Sequence, residues 1–297
     1  MTRASQSERR AWWLLALLVL TWGASWPIIK VGVTAMPPLW FACVRYLVGT
    51  VCLLVIVTLR RELIVPSRSD WKLVIVSGVL QMATYAALTS VALTRLPPGR
   101  ASILAYSTPV WVVPLSVWWL HEPVTWRGRI GVVAGLVGVV AIATGGPQPN
   151  LREYVMPYAL LLCAAAAWAT SIVFVRAHRF QASPLALAPW QMLVAALLLL
   201  ACAIGVNGPL GSVNLRGLAS LAYVGPVATA FAYWAVVEVG RHIRATTISV
   251  TLLAVPTLGL LISAFTFHET LSVSLALGVL LIGAGVSMTT VSSSPIR

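Results

Sequence analysis

Residues 22–30 read Trp22-Gly23-Ala24-Ser25-Trp26-Pro27-Ile28-Ile29-Lys30, and residues 168–176 answer them as Trp168-Ala169-Thr170-Ser171-Ile172-Val173-Phe174-Val175-Arg176. Tryptophan, hydroxyl and closing cation keep their places at a spacing of 146 residues. Other matches follow in chain order at 146 or 147: Pro38-Leu39 with Pro184-Leu185, Arg45 with Gln191, Gly78 with Gly225, Pro109 with Pro256 and His121-Glu122 with His268-Glu269. Gly131 and Gly138 likewise match Gly278 and Gly285. An ordered series at nearly constant offset marks an internal duplication, the feature to settle before any motif.

The repeated unit is a membrane unit. The chain has 297 residues, 59% hydrophobic and 9% charged, against roughly 25% charged in a soluble domain, which excludes a soluble fold. Stretches 11–29, 73–94, 101–120, 130–151, 154–175, 180–215, 217–237, 245–267 and 270–296 hold no Lys, Arg, Asp or Glu. About 20 apolar residues cross the hydrocarbon layer as a helix, so most gaps fit one span. Stretch 180–215 holds a span near 184–206 and then a polar loop, and 39–59 is a span interrupted only by Arg45. The first span lacks a small-x-small cleavage site and is read as retained. The expectation is an all-α integral membrane protein of ten transmembrane helices in two repeats, 11–145 and 154–291. Five spans per repeat is odd, so the second copy enters from the opposite side: the repeats are inverted, as secondary transporters use them.

The net charge of +13 lies in loops, so it writes a topology and does not point to nucleic acid. With the N-terminus cytoplasmic, inside segments carry Arg3, Arg9, Arg10, Arg60, Arg61, Arg68, Lys72, Arg127, Arg129, Arg176, Arg179, Arg241, Arg244 and Arg297, 14 in all. Outside segments carry the five residues Lys30, Arg95, Arg100, Arg152 and Arg216. This positive-inside bias puts both termini in the cytoplasm. Trp12, Trp13, Trp40, Trp71, Trp118, Trp119 and Trp126 lie at span ends, where aromatic belts form. Cys43, Cys52, Cys163 and Cys202 lie within apolar spans without CxxC pairing, and read as small buried hydrophobes with neither metal nor disulfide. No cofactor is called for.

Helical spacing selects the candidate site. Gly78, Gln81 and Tyr85 share one face of span 3, Ser102, Tyr106 and Pro109 one face of span 4, and Gly225, Thr229 and Tyr233 one face of span 8. Trp22 with Ser25, and Trp168 with Ser171, form matching pairs on spans 1 and 6. Trp22, Gln81, Tyr85, Trp168 and Thr229 sit near mid-span, the depth at which carriers bind substrate between repeats. Gln81 has amide groups that hydrocarbon cannot satisfy. The hydroxyls could instead bond their own helices, and the rings could pack. Arg45 is either a partner for a substrate carboxylate or a side chain that snorkels to the interface. Glu122 and Glu269 suit helix capping or pairing with Arg. Pro109 and Pro256 fall within spans 4 and 9 and mark gate hinges. Gly131-x-x-x-Gly135 allows close helix approach, within the chain or in a homodimer.

Two five-span halves, the Trp22–Ser25 stretch, the arginine of span 2, and the Pro109…His121-Glu122-Pro123 and Pro256…His268-Glu269 signatures resemble the EamA family of bacterial exporters, in the drug/metabolite transporter superfamily. The resemblance covers about residues 11–291. It implies an inner-membrane exporter of small metabolites, with aromatic or large apolar amino acids foremost, and no enzymatic activity. Other amphipathic metabolites or drugs are the alternative. A lipid-modifying membrane enzyme is the rival class, but the four histidines form no HxxxD or HExxH pattern. The partners expected are a small-molecule substrate and the lipid bilayer, with monomer and homodimer both open.

Overall fold

A computed structural model describes residues 3–144, 151–179, 181–243 and 245–291. The expected boundary at Gly145 and the loop charges Arg244 and Arg297 lie outside them. Helices run over α1 Arg3–Ala35, α2 Pro38–Leu59, α3 Arg68–Arg95, α4 Pro98–Ala105, α5 Thr108–Leu120 and α6 Trp126–Thr144. The second half follows with α7 Leu151–Ala177, α8 Pro184–Asn207, α9 Leu215–Gly240, α10 Ala245–Leu252, α11 Ala254–Phe267 and α12 Val273–Val291. Among the described residues there is no strand, and seven helical runs, with α4 and α5 taken as one, are long and apolar enough to cross a membrane. Two shorter apolar helices, Ala254–Phe267 and Val273–Met288, add to them. Large apolar side chains such as Leu59, Val65, Phe265 and Val273 stand exposed on the outer surface, which only a lipid surround makes inexpensive.

The halves interlock. Helix α2 packs on α8 and on the middle of α9, α1 packs on α11 and α9, and α7 packs on α3 and α5. Helices α6 and α12 pack chiefly on each other, with lighter contacts to α5. Their contact is made by glycines: a Cβ on Gly138 would fall 2.9 Å from the Gly278 carbonyl oxygen, and one on Gly278 would meet Gly138 likewise. Gly135 is used in the same way against Gly285 and Val110, so Gly131-x-x-x-Gly135 serves packing within the chain.

Three backbone devices recur at the repeat spacing. Residues Ser77–Thr84 of α3 and Val224–Phe231 of α9 are π-helical, a winding that often marks functional sites. Gly78 and Gly225 press these segments onto the other half: Cβ atoms there would lie 2.8 Å from the Gln191 carbonyl oxygen and 2.6 Å from Val48. The path from α4 to α5 breaks at Tyr106 and Ser107, and that from α10 to α11 at Leu253. Pro109 and Pro256 therefore sit in the first turn of the helix after each break, where a missing N–H costs least. His121 and His268 end α5 and α11 in the left-handed conformation, at φ 55° and 51°.

Two expectations are corrected. Only Cys43 is buried; Cys52 is half-buried, and Cys163 and Cys202 face outward, where a thiol is apolar enough for lipid. Not every terminal tryptophan is a belt anchor. Trp71 is half-buried and packs edge-on against Trp190 at 6.0 Å, and the Trp40 indole donates to the Gly208 carbonyl at 3.0 Å.

Candidate functional site

A cavity of about 290 Å³ lies between the halves. Its first-half wall includes Trp22, Ser25, Arg45, Gln81, Tyr85 and Tyr106, and its second-half wall Trp168, Thr229 and Tyr233. Four rings form a continuous edge-to-face chain: Trp26 with Tyr106 at 6.4 Å, Tyr106 with Trp168 at 6.4 Å, and Trp168 with Tyr85 at 4.9 Å between centroids. Edge-to-face stacking holds each ring while leaving polar tips free. The Tyr85 and Tyr106 hydroxyls and the Trp168 indole N–H have no protein hydrogen-bond partner among the described residues.

Arg45 faces the cavity and does not snorkel away from it. Its Nε donates to Thr229 Oγ1 at 2.8 Å, and Thr229 donates in turn to the Val224 carbonyl at 2.8 Å, five residues back in the π-helix. The guanidinium is thereby tied at its root, and both terminal nitrogens are left without a protein partner among the described residues; its carbon lies 5.4 Å from the Tyr46 ring centroid. That arrangement can take a carboxylate through two parallel bonds. Among the described lining residues Arg45 is the one fully charged side chain.

Other selected residues hold the wall together. Ser25 donates to the Trp22 carbonyl of its own helix at 2.7 Å, and the Trp22 indole donates to the Ala228 carbonyl at 3.0 Å, joining α1 to α9. Ser171 is fully buried behind the lining and donates to Gln81 Oε1 at 3.4 Å, leaving the Gln81 amide nitrogen toward the cavity. Tyr233 donates to Gln191 Oε1 at 3.2 Å. Pro109 lies outside this cavity, and Pro256 is buried away from it. The cavity also uses Trp26, Ile29, Met82, Leu93, Met192 and Leu252, which spacing alone did not single out. Trp26 was within reach, four residues after Trp22 on the same helical face.

The two ends of the cavity differ. At one end a vestibule of about 390 Å³ meets it at Tyr106, Trp168 and Leu252 and is lined by Pro109, Ser116, Glu122 and Arg176. Arg176 Nη2 donates to Glu122 Oε1 at 2.7 Å and Arg176 Nη1 to Ser116 Oγ at 3.3 Å, with both charged groups over a third exposed. At the other end Trp26, Ile29 and Leu93 are buried. There the Glu269 carboxylate accepts the backbone N–H groups of Gly99 and Arg100 at the start of α4, each at 3.0 Å. It also accepts from Ser263 and lies 3.9 Å from Arg100 Nε. The carboxylate does cap a helix, but across the halves and not at the start of its own next span. Lys30 closes the same end, donating to the Leu93 carbonyl at 2.6 Å. Among the described residues no cluster suits a metal.

The model of the EamA-like transporter family matches residues 10–144 and again 155–291. The chain is 27% identical over 93% of its length, and 95% of the other's, to the "uncharacterized transporter YoaV" of Bacillus subtilis. It is 26% identical, over 94% of each chain, to a "probable amino-acid metabolite efflux pump" of Salmonella typhimurium. Over 46% of each chain it is 29% identical to a "probable terminal-alkyne amino-acid exporter" of Streptantibioticus cattleyicolor. A solved crystal structure superposes with a TM-score of 0.62 at 23% identity, covering 95% of this chain and 98% of that one, and shows the fold alone.

Proposed function

The chain belongs to the EamA-like transporter family, and from that premise we propose that it exports aromatic or large apolar amino acids by alternating access. It is a multi-pass membrane transporter and not an enzyme. In the proposed arrangement ten spans form two inverted repeats, 11–145 and 154–291, in a bacterial inner membrane with both termini cytoplasmic. The inversion draws support from interchangeable packing: α2 on the π-helix of α9 is answered by α8 on the π-helix of α3, and α1 on α11 by α7 on α5. In that orientation the vestibule beside Arg176 faces the cytoplasm, the side from which an exporter loads.

The observation that carries the substrate reading is the meeting, in one cavity, of unpartnered ring donors with the free edge of Arg45. Its volume of about 290 Å³ is at the small end of ligand pockets, roughly 300–1,000 Å³, and admits one small metabolite. A substrate carboxylate would take the Arg45 edge, its amine would meet ring faces and the Gln81 side chain, and its apolar part would lie against Trp168, Tyr85 and Tyr106. Pro109 and Pro256, beside the helix breaks, are the proposed gate hinges.

Reconstituted Trp168→Ala and Tyr85→Ala proteins should lose aromatic amino acid transport while expressing normally; full transport by both would overturn the site. Glu238 lies outside the cavity lining and pairs with Arg241 at 3.3 Å, and among the described residues no carboxylate lines the central cavity, where substrate would meet a coupling proton. Substrate-driven acidification lost in Glu238→Gln would contradict uncoupled transport.

A further inference from the structure

Glu269 makes a lock that its repeat counterpart does not make. The elements around the two carboxylates are matched: Ser263 with Ser116, left-handed His268 with His121, and the start of α4 with the start of α10, so that Gly99 and Arg100 correspond to Thr246 and Thr247. At the Arg100 end every part is engaged, with Glu269 bonded to two backbone N–H groups and to Ser263, and buried with Arg100. At the Arg176 end the matched carboxylate is engaged differently. Glu122 is 39% exposed in its side chain and held by Arg176, while Ser116 donates nothing to it.

We propose that Glu122 and Glu269 are alternating latches: when the Arg100 end opens, Glu122 leaves Arg176 and caps the start of α10 through the backbone N–H groups of Thr246 and Thr247. This rests on the inverted-repeat reading above. Relative strengths favour it, because an exposed ion pair contributes little in water, whereas buried hydrogen bonds to a charged group are each several times stronger. The latches are unequal. A Cβ at position 99 would lie 2.5 Å from Glu269 Oε2, so glycine lets that carboxylate seat fully, whereas the matched sequence position is a threonine, Thr246. Thr247 also supplies no guanidinium in place of Arg100. The stronger lock is the one found closed.

The test is labelling of Ile29→Cys, in a background without the four native cysteines, by an impermeant maleimide added from the Arg100 side. Ile29 lines the cavity and is buried at the closed end. Glu269→Gln should raise the rate roughly tenfold, and Thr246→Gly should raise it by filling the second latch. Glu122→Gln should lower it and should cancel the Thr246→Gly gain in the double variant. If Glu122→Gln speeds labelling, or leaves the Thr246→Gly gain intact, the latch is wrong. The Thr246 and Glu122 pair decides the matter even if Glu269→Gln fails to fold. Substrate counterflow by the wild-type protein is measured separately, so a failed transport reading is distinguishable from a failed latch.

Discussion

The two halves agree in backbone and disagree in the side chains they turn to the cavity. π-Helices at Ser77–Thr84 and Val224–Phe231, breaks at Tyr106 and Leu253, and left-handed His121 and His268 repeat in register. Apart from the matched Trp22 and Trp168, the lining does not. Gln81 faces a matched Ala228, Tyr85 a matched Ala232, Tyr106 a matched Leu253, and Arg45 a matched Gln191. Symmetry is kept where two halves must exchange shapes, and given up where one asymmetric molecule must be held.

Substitutions can break the first likeness or erase the second difference. The largest effect is expected from Gly225→Leu. A Cβ already crowds Val48 at 2.6 Å, and a full side chain should cost roughly 1–3 kcal/mol or more, read as a lowered Tm in detergent and lost transport. Gly78→Leu should do the same, and a large difference between the two would break the likeness. Next, Arg45→Gln makes position 45 like its counterpart. It should raise KM for a carboxylate substrate roughly tenfold or more, the loss of one charge-assisted bond, with little change in Tm. Tyr106→Leu, which copies Leu253, should weaken transport by roughly threefold to tenfold, as loss of about 0.5–1.5 kcal/mol of ring contact. Ser25→Ala should be close to silent, because that hydroxyl is spent on its own helix at 2.7 Å; a large effect would put Ser25 in contact with substrate.

The repeat, the apolar spans and most of the lining were legible because helical periodicity and mid-span polarity act locally. Gln81 with Tyr85, and Thr229 with Tyr233, share faces by spacing alone. The π-helices were not legible. Ser77–Thr84 carries no residue that demands five-residue winding, and its close contact, Gly78 against Gln191 of the other half, is not local in sequence. The partner of Glu269 was equally hidden, since Gly99 lies 170 residues away and any free helix start attracts a carboxylate. The breaks fall before Pro109 and Pro256 and not at them, because a proline fits the first turn of a new helix. Spacing leaves Arg45 two fates, and the bond from its Nε to Thr229 decides between them.

The central claim is that Arg45 reads a carboxylate inside an aromatic cavity, and the most direct measurement is counterflow of phenylalanine against phenylalaninamide in proteoliposomes. The wild-type protein should favour the acid by roughly tenfold, and Arg45→Gln should abolish that preference while still carrying both. An equal preference in the two proteins, or none in the wild type, would contradict the account.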